Sequence, residues 1–229
     1  LDLYISNVGR NRLFTGSAGG AFTDATEIMD VGAARRSTPA CASSTDLACL
    51  LVSWGAVHAD LDLDGVDELL FVNGHIEGAA PQPAIRLVPS GTAFERAASG
   101  LACTAARALI AADLDGDGDL DAVVTGSDAP MRVYENTTSP AGGWLRVRAA
   151  GTRSNRDGIG AVVTLTLAGG RRITRAIGAG GVVHSSGPAE AHFGLGSAGI
   201  EMLEVRWPSG AVQTVTSVSA NQLLVVAEP

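Results

Sequence analysis

The sequence predicts an all-β protein in which a run of repeated β units is followed by a small antiparallel β sandwich or barrel. Three observations lead there. Short Val/Leu/Ile/Thr runs are separated by Gly, Asp and Asn, and the 229 residues include 29 glycines against 4% aromatics, a texture of many strands and tight turns. One acidic pattern occurs twice, 53 residues apart. From Gly143 onward that pattern stops and two-residue alternation takes over.

An apolar content of 46% lets a chain of this length bury a substantial core in one or two domains. No apolar stretch approaches the ~18 residues needed to span a bilayer, and the first residues lack the charged-then-apolar order of a signal peptide. Residues 1–141 hold 19 acids against 8 arginines, and residues 142–229 hold 5 against 8. Ten of the 24 acids fall within 60–68 and 113–121, so the acidity is local, as cation sites require.

The first unit reads Asp60-Leu-Asp62-Leu-Asp64-Gly65-Val66-Asp67-Glu68, and the second Asp113-Leu-Asp115-Gly-Asp117-Gly118-Asp119-Leu-Asp121. Each is preceded by an apolar strand (50–57; 108–112) and followed by another (69–72; 122–125). Asp2 in the opening Leu-Asp-Leu-Tyr-Ile-Ser-Asn matches Glu68 and Asp121, the remnant of an earlier copy. A unit of roughly 50–65 residues with several short strands has the length of a four-stranded propeller blade. Two loops and a remnant correspond to about two to three blades, a partial β-propeller truncated at its N-terminal side.

Carboxylates at positions 1, 3, 5 and 9, with glycine at 6 for the sharp turn, can converge on one cation while the position 7 carbonyl adds an oxygen. So many hard oxygen donors favour Ca²⁺ over Mg²⁺. The expected ligands are Asp60, Asp62, Asp64, the Val66 carbonyl and Glu68 in one loop, and Asp113, Asp115, Asp117, the Asp119 carbonyl and Asp121 in the other, for about two Ca²⁺ sites. An EF-hand fails because position 12 is Phe71 or Val124, inside a strand. Metal-free Asp-Gly hairpins would crowd four or five carboxylates without compensation. A phosphatase DxD nucleophile would not be expected in successive repeats.

Both loops resemble FG-GAP (VCBS-type) repeats, the calcium-binding blades of integrin α-subunit-like propellers, and the resemblance covers about residues 1–136. Glu68 at position 9 and the Ser/Ala/Cys-rich stretch 37–49 depart from it. Cys41 and Cys49 close a short loop that suits a disulfide in an oxidising compartment; two ordinary thiols are the alternative.

The C-terminal part (142–229) offers alternating strands at 144–148, 161–167, 171–175, 202–207 and 223–227, with turns at Asp157-Gly158, Gly169-Gly170 and Pro208-Ser-Gly210. Ser154-Asn-Arg-Asp-Gly-Ile-Gly-Ala161, His192-Phe-Gly-Leu-Gly196, Val205-Arg-Trp-Pro-Ser-Gly210 and Asn221-Gln222 resemble the ASPIC/UnbV domain. Such a domain follows an FG-GAP propeller in the family of cartilage acidic protein 1 and its bacterial relatives. That resemblance implies an extracellular protein that binds rather than catalyses. By themselves, Asn155, Arg156 and Asp157 shape a tight turn or form a recognition loop. His184 and His192 lack a nucleophile elbow, and Asn136-Thr-Thr138 is an N-glycosylation acceptor pattern.

The expected function is therefore a secreted or cell-surface calcium-binding adhesion or recognition protein, not an enzyme. Calcium would stabilise the propeller part, whose domain is 1–141, and leave the fold of residues 143–229 nearly untouched. The partner would be another extracellular protein or surface component, or a second copy. Nucleic acid and membrane insertion are not expected; scarce aromatics disfavour a stacking groove for bases or sugars. The competing readings are a non-catalytic accessory region of a larger secreted hydrolase and a structural subunit of a surface filament or matrix.

Overall fold

The structure, a computed structural model, describes residues 2–17, 19–27, 49–76, 81–102, 105–127, 129–138, 142–178 and 185–229. Among the described residues it is all-β: seventeen strands form five sheets, no sheet closes into a barrel, and there is no α-helix.

The repeat region supplies three antiparallel meanders. The first is β1 (Leu3–Ile5), β2 (Arg12–Gly16) and β3 (Phe22–Asp24). The second runs β4 (Ser53–Ala59), β5 (Glu68–Asn73), β6 (Ile85–Ser90) and β7 (Ala93–Ala97). The third is β8 (Ala106–Ala112), β9 (Asp121–Gly126) and β10 (Ala129–Tyr134). Every residue of β5 is buried because both of its faces are covered. Leu69 and Phe71 pack with Leu13, Leu51, Ile85 and Leu87, while Leu70 and Val72 pack with Ala106, Leu109, Leu120 and Val124. A strand covered on both sides reads as a continuous apolar run, as Leu-Leu-Phe-Val does. Gly55 lies so close to β8 that a Cβ there would overlap the Leu109 backbone.

Residues 143–227 form a two-sheet sandwich. One sheet has the order β14 (Ala191–Gly196), β11 (Gly143–Ala150), β17 (Gln222–Ala227); the other runs β13 (Arg172–Ala176), β12 (Val162–Leu167), β15 (Ile200–Arg206), β16 (Val212–Val215). Their inner faces share one core of Leu145, Val147, Val163, Leu165, Phe193, Leu203, Val205 and Trp207. Of the two expected forms, the domain takes the sandwich. One expectation needs correction: the domain is not wholly antiparallel, because β11 pairs with β17 in parallel from Leu145↔Gln222 to Ala150↔Ala227. A parallel pair requires a long crossover, supplied here by everything between the two strands. The turns fall where the sequence puts them: Gly169, Gly170 and Gly210 have φ of +91°, +83° and +90°.

The Asn155 loop is a structured turn. Asn155 Oδ1 accepts from Ile159 N at 2.8 Å and its Nδ2 donates to Ile159 O at 2.7 Å. Beside it, Glu228 is buried and accepts from the backbone N–H groups of Thr152, Arg153 and Ser154 at 2.9, 2.7 and 2.7 Å, and from Ser209 Oγ at 2.5 Å.

Candidate metal loops at the seam between the two regions

Each acidic loop is a hairpin connection whose ninth residue is the first of a strand, paired with the alanine just before the loop: Ala59↔Glu68 and Ala112↔Asp121. That acid closes the loop. Glu68 Oε2 accepts from Leu61 N at 2.7 Å, and Asp121 Oδ2 from Leu114 N at 2.9 Å. Position 5 repeats too: Asp64 Oδ1 accepts from Val66 N at 2.7 Å and Asp117 Oδ1 from Asp119 N at 3.0 Å. The glycines predicted at the sharp turn have φ of +93° (Gly65) and +101° (Gly118), a region L residues seldom enter.

Carboxylate oxygens of Asp60, Asp62 and Glu68 lie within 4.8 Å of one another, as do those of Asp113, Asp115 and Asp117. Asp64 and Asp121 fall outside these groups of three. Burial, opposed by the Gly65 N–H and reinforced by Asp64, Asp67 and Asp62, pushes the Asp60 carboxyl up to about 7. In the second loop Asp119 offers more than its backbone. Its side chain is buried, Oδ1 has no hydrogen-bond partner, and burial together with Asp117, Asp121, Asp115 and Asp113 pushes it up to about 7. A desolvated carboxylate oxygen among four other carboxylates is what a bound dication would compensate.

Sequence reasoning missed the surroundings of the loops. The sandwich lies directly against both. Arg146 on β11 donates to Asp113 Oδ2 at 2.6 Å, Arg175 on β13 to Asp67 Oδ1 at 2.5 Å, and Arg171 to Gly65 O. His192 Nε2 donates to Gly118 O at 2.8 Å, and burial holds its imidazole below the usual range. Added Cβ atoms on Gly118, Gly194 and Gly196 would overlap Trp144, Asp60 and the Asp64 carbonyl respectively. The excess of acids in 1–141 and of arginines in 142–229 was the available signal for this contact.

Asn136, the candidate glycan acceptor, is committed elsewhere: its Nδ2 donates to Leu61 O at 2.8 Å and Leu120 O at 3.3 Å, tying one loop to the other. Cys49 is buried and disulfide-bonded. Cys41, the 37–48 stretch and His184 lie outside the described residues, and with them the expected Cys41–Cys49 pairing.

Comparison with known proteins bears on the sandwich first. Residues 151–229 match the family described as ASPIC and UnbV. The chain is also 32% identical over 126 residues to cartilage acidic protein 1 of Mus musculus, 33% over 123 residues to that of Xenopus tropicalis and 32% over 126 residues to that of Homo sapiens. These matches span 52%, 51% and 52% of this chain but 19% of each relative. The ASPIC/UnbV match covers the turn at Asn155, the Glu228 contacts and the seam residues Arg171, Arg175 and His192.

Proposed function

We propose that the chain is an extracellular calcium-binding adhesion or recognition module, in which FG-GAP-type blades carry the metal and the ASPIC/UnbV region is locked against them. The observation that carries this is Asp119: a buried carboxylate oxygen without a hydrogen-bond partner, in a loop where the carboxylates of Asp113, Asp115 and Asp117 converge. Asp113, Asp115, Asp117 and Asp121 would hold Ca²⁺ with the Asp119 carbonyl, and Asp60, Asp62, Asp64, Glu68 and the Val66 carbonyl are the corresponding set. Such hard oxygen donors suit Ca²⁺, which accepts about 6–8 oxygens. Calcium here is structural: it offsets carboxylate repulsion in two hairpins and at the surface the sandwich rests on. Three face-to-face sheets in chain order support the blade reading.

Localisation outside the cell is supported by the buried disulfide of Cys49 and by the similarity to cartilage acidic protein 1. The partner is an extracellular protein or surface component. Calorimetric titration of EDTA-stripped protein tests the metal: Ca²⁺ should give a saturable heat, with Mg²⁺ much weaker. No calcium heat, or an equal response to Mg²⁺, overturns the reading.

A further inference from the structure

The two loops share a backbone plan but differ in what holds the second oxygen of the position 9 acid. In the second loop Asp121 Oδ1 accepts from the backbone N–H of Asn136 at 2.8 Å, a neutral donor. In the first loop Glu68 Oε1 accepts from the Arg86 guanidinium, and the same Nη2 reaches Asp62 Oδ2 at 3.2 Å. Asp62 and Glu68 are two of the three residues whose carboxylates converge there. A guanidinium thus bridges positions 3 and 9 of the first loop, the bridge a metal ion would make.

We propose that Arg86 is the first loop's resident cation, so that the second loop binds Ca²⁺ at least about tenfold more tightly than the first. The proposal rests on the calcium reading above. Arg86 is placed by the sheet: it sits on β6 in register with Leu70 of β5, and its side chain is only 20% exposed. Arginine does not lose its charge at any pH the fold survives. Calcium entering the first loop must displace this group or share its ligands with it. Among the described residues the second loop meets an arginine only at position 1, where Arg146 touches Asp113 and divides its charge with Glu190 at 2.9 Å. No ion pair is recorded for Asp115, Asp117 or Asp119 among the described residues. Position 7 sharpens the contrast, since the second loop has the buried Asp119 where the first has the exposed Val66.

Counting bound calcium on the full chain by equilibrium dialysis with calcium chloride tests this. Wild type should show one tight site and a second at least about tenfold weaker. Asp117→Asn should remove the tight site and leave only weak binding. Arg86→Met should tighten the weak site toward the strong one. Two comparable sites in the wild type, or a tight site surviving in Asp117→Asn, overturn the proposal; the latter holds even if Arg86→Met does not fold. Absence of calcium from every variant overturns the calcium reading itself, and this proposal falls with it.

Discussion

Arg146 of the sandwich and Asp113 of the second acidic loop form a buried ion pair at 2.6 Å, with Glu190 gripping the other side of the guanidinium at 2.9 Å. Asp113 and Glu190 side chains are 0% and 3% exposed. Arg146→Met should therefore strand the desolvated Asp113 carboxylate, while Glu190 keeps Arg148 at 3.0 Å, and cost about 3–5 kcal/mol in EDTA. In saturating calcium the loss should be smaller if, as proposed, a dication supplies charge to Asp113. Urea denaturation under both conditions checks this, and equal losses would mean that Asp113 is not a calcium ligand.

Asp117→Ala should lower the melting temperature in calcium and leave it nearly unchanged in EDTA. Binding at one hundred times Kd adds about 2.7 kcal/mol, which for a chain of this size is about 5–10 °C. The seam narrows the expectation that calcium leaves residues 143–229 nearly untouched. Hydrogen exchange should slow in β11 and β14, which rest on the loops, while interior β12 and β15 do not respond.

Gly118→Ala should loosen the seam. A Cβ there would run into the Trp144 indole, and φ of +101° is already unfavourable for alanine. The expected cost is about 1–3 kcal/mol, accompanied by a shift in tryptophan emission from Trp144. An unchanged emission spectrum and melting temperature would show that the indole does not cover the loop in solution.

Glu228 makes stability pH-dependent. Burial raises its pKa, but hydrogen bonds from the Ser154 N–H, the Ser209 hydroxyl and the N–H groups of Arg153 and Thr152 outweigh that and hold it well below the usual range. A depressed carboxyl contributes stability above the unfolded value, about 4.3, and loses it as pH falls through the folded value. Glu228→Gln should therefore melt below wild type at pH 7, with the gap closing as pH drops below about 4. A gap that is constant with pH would sink the assignment.

The repeat, its strands and the turn glycines were legible because periodicity and turn chemistry are local. The pairing of β11 with β17 was not, since nothing near Leu145 encodes a partner at Gln222. β14 was missed as a strand for a physical reason. His192-Phe-Gly-Leu-Gly196 carries two glycines, which weaken a strand pattern, yet Gly194 and Gly196 are where the strand must lie against Asp60 and the Asp64 carbonyl. The alternating arginines of β11 and β13 read as a solvated face, but Arg146 and Arg175 project onto the acidic loops. Arg86 was invisible for the same reason as the β11 partner: its place beside Glu68 follows from strand register, and the sequence alone carries no register between β5 and β6.

The parallel pairing of β11 and β17 has a mechanical consequence. The beginning of β11, where the chain arrives from the repeat sheets, and the end of β17 lie at opposite ends of one strand pair. Tension between them pulls the strands past each other lengthwise and loads the evenly spaced hydrogen bonds from Leu145 to Ala150 together. A hairpin pulled at its open end would instead unzip one bond at a time. Pulled from those two ends, the strand pair would resist in shear.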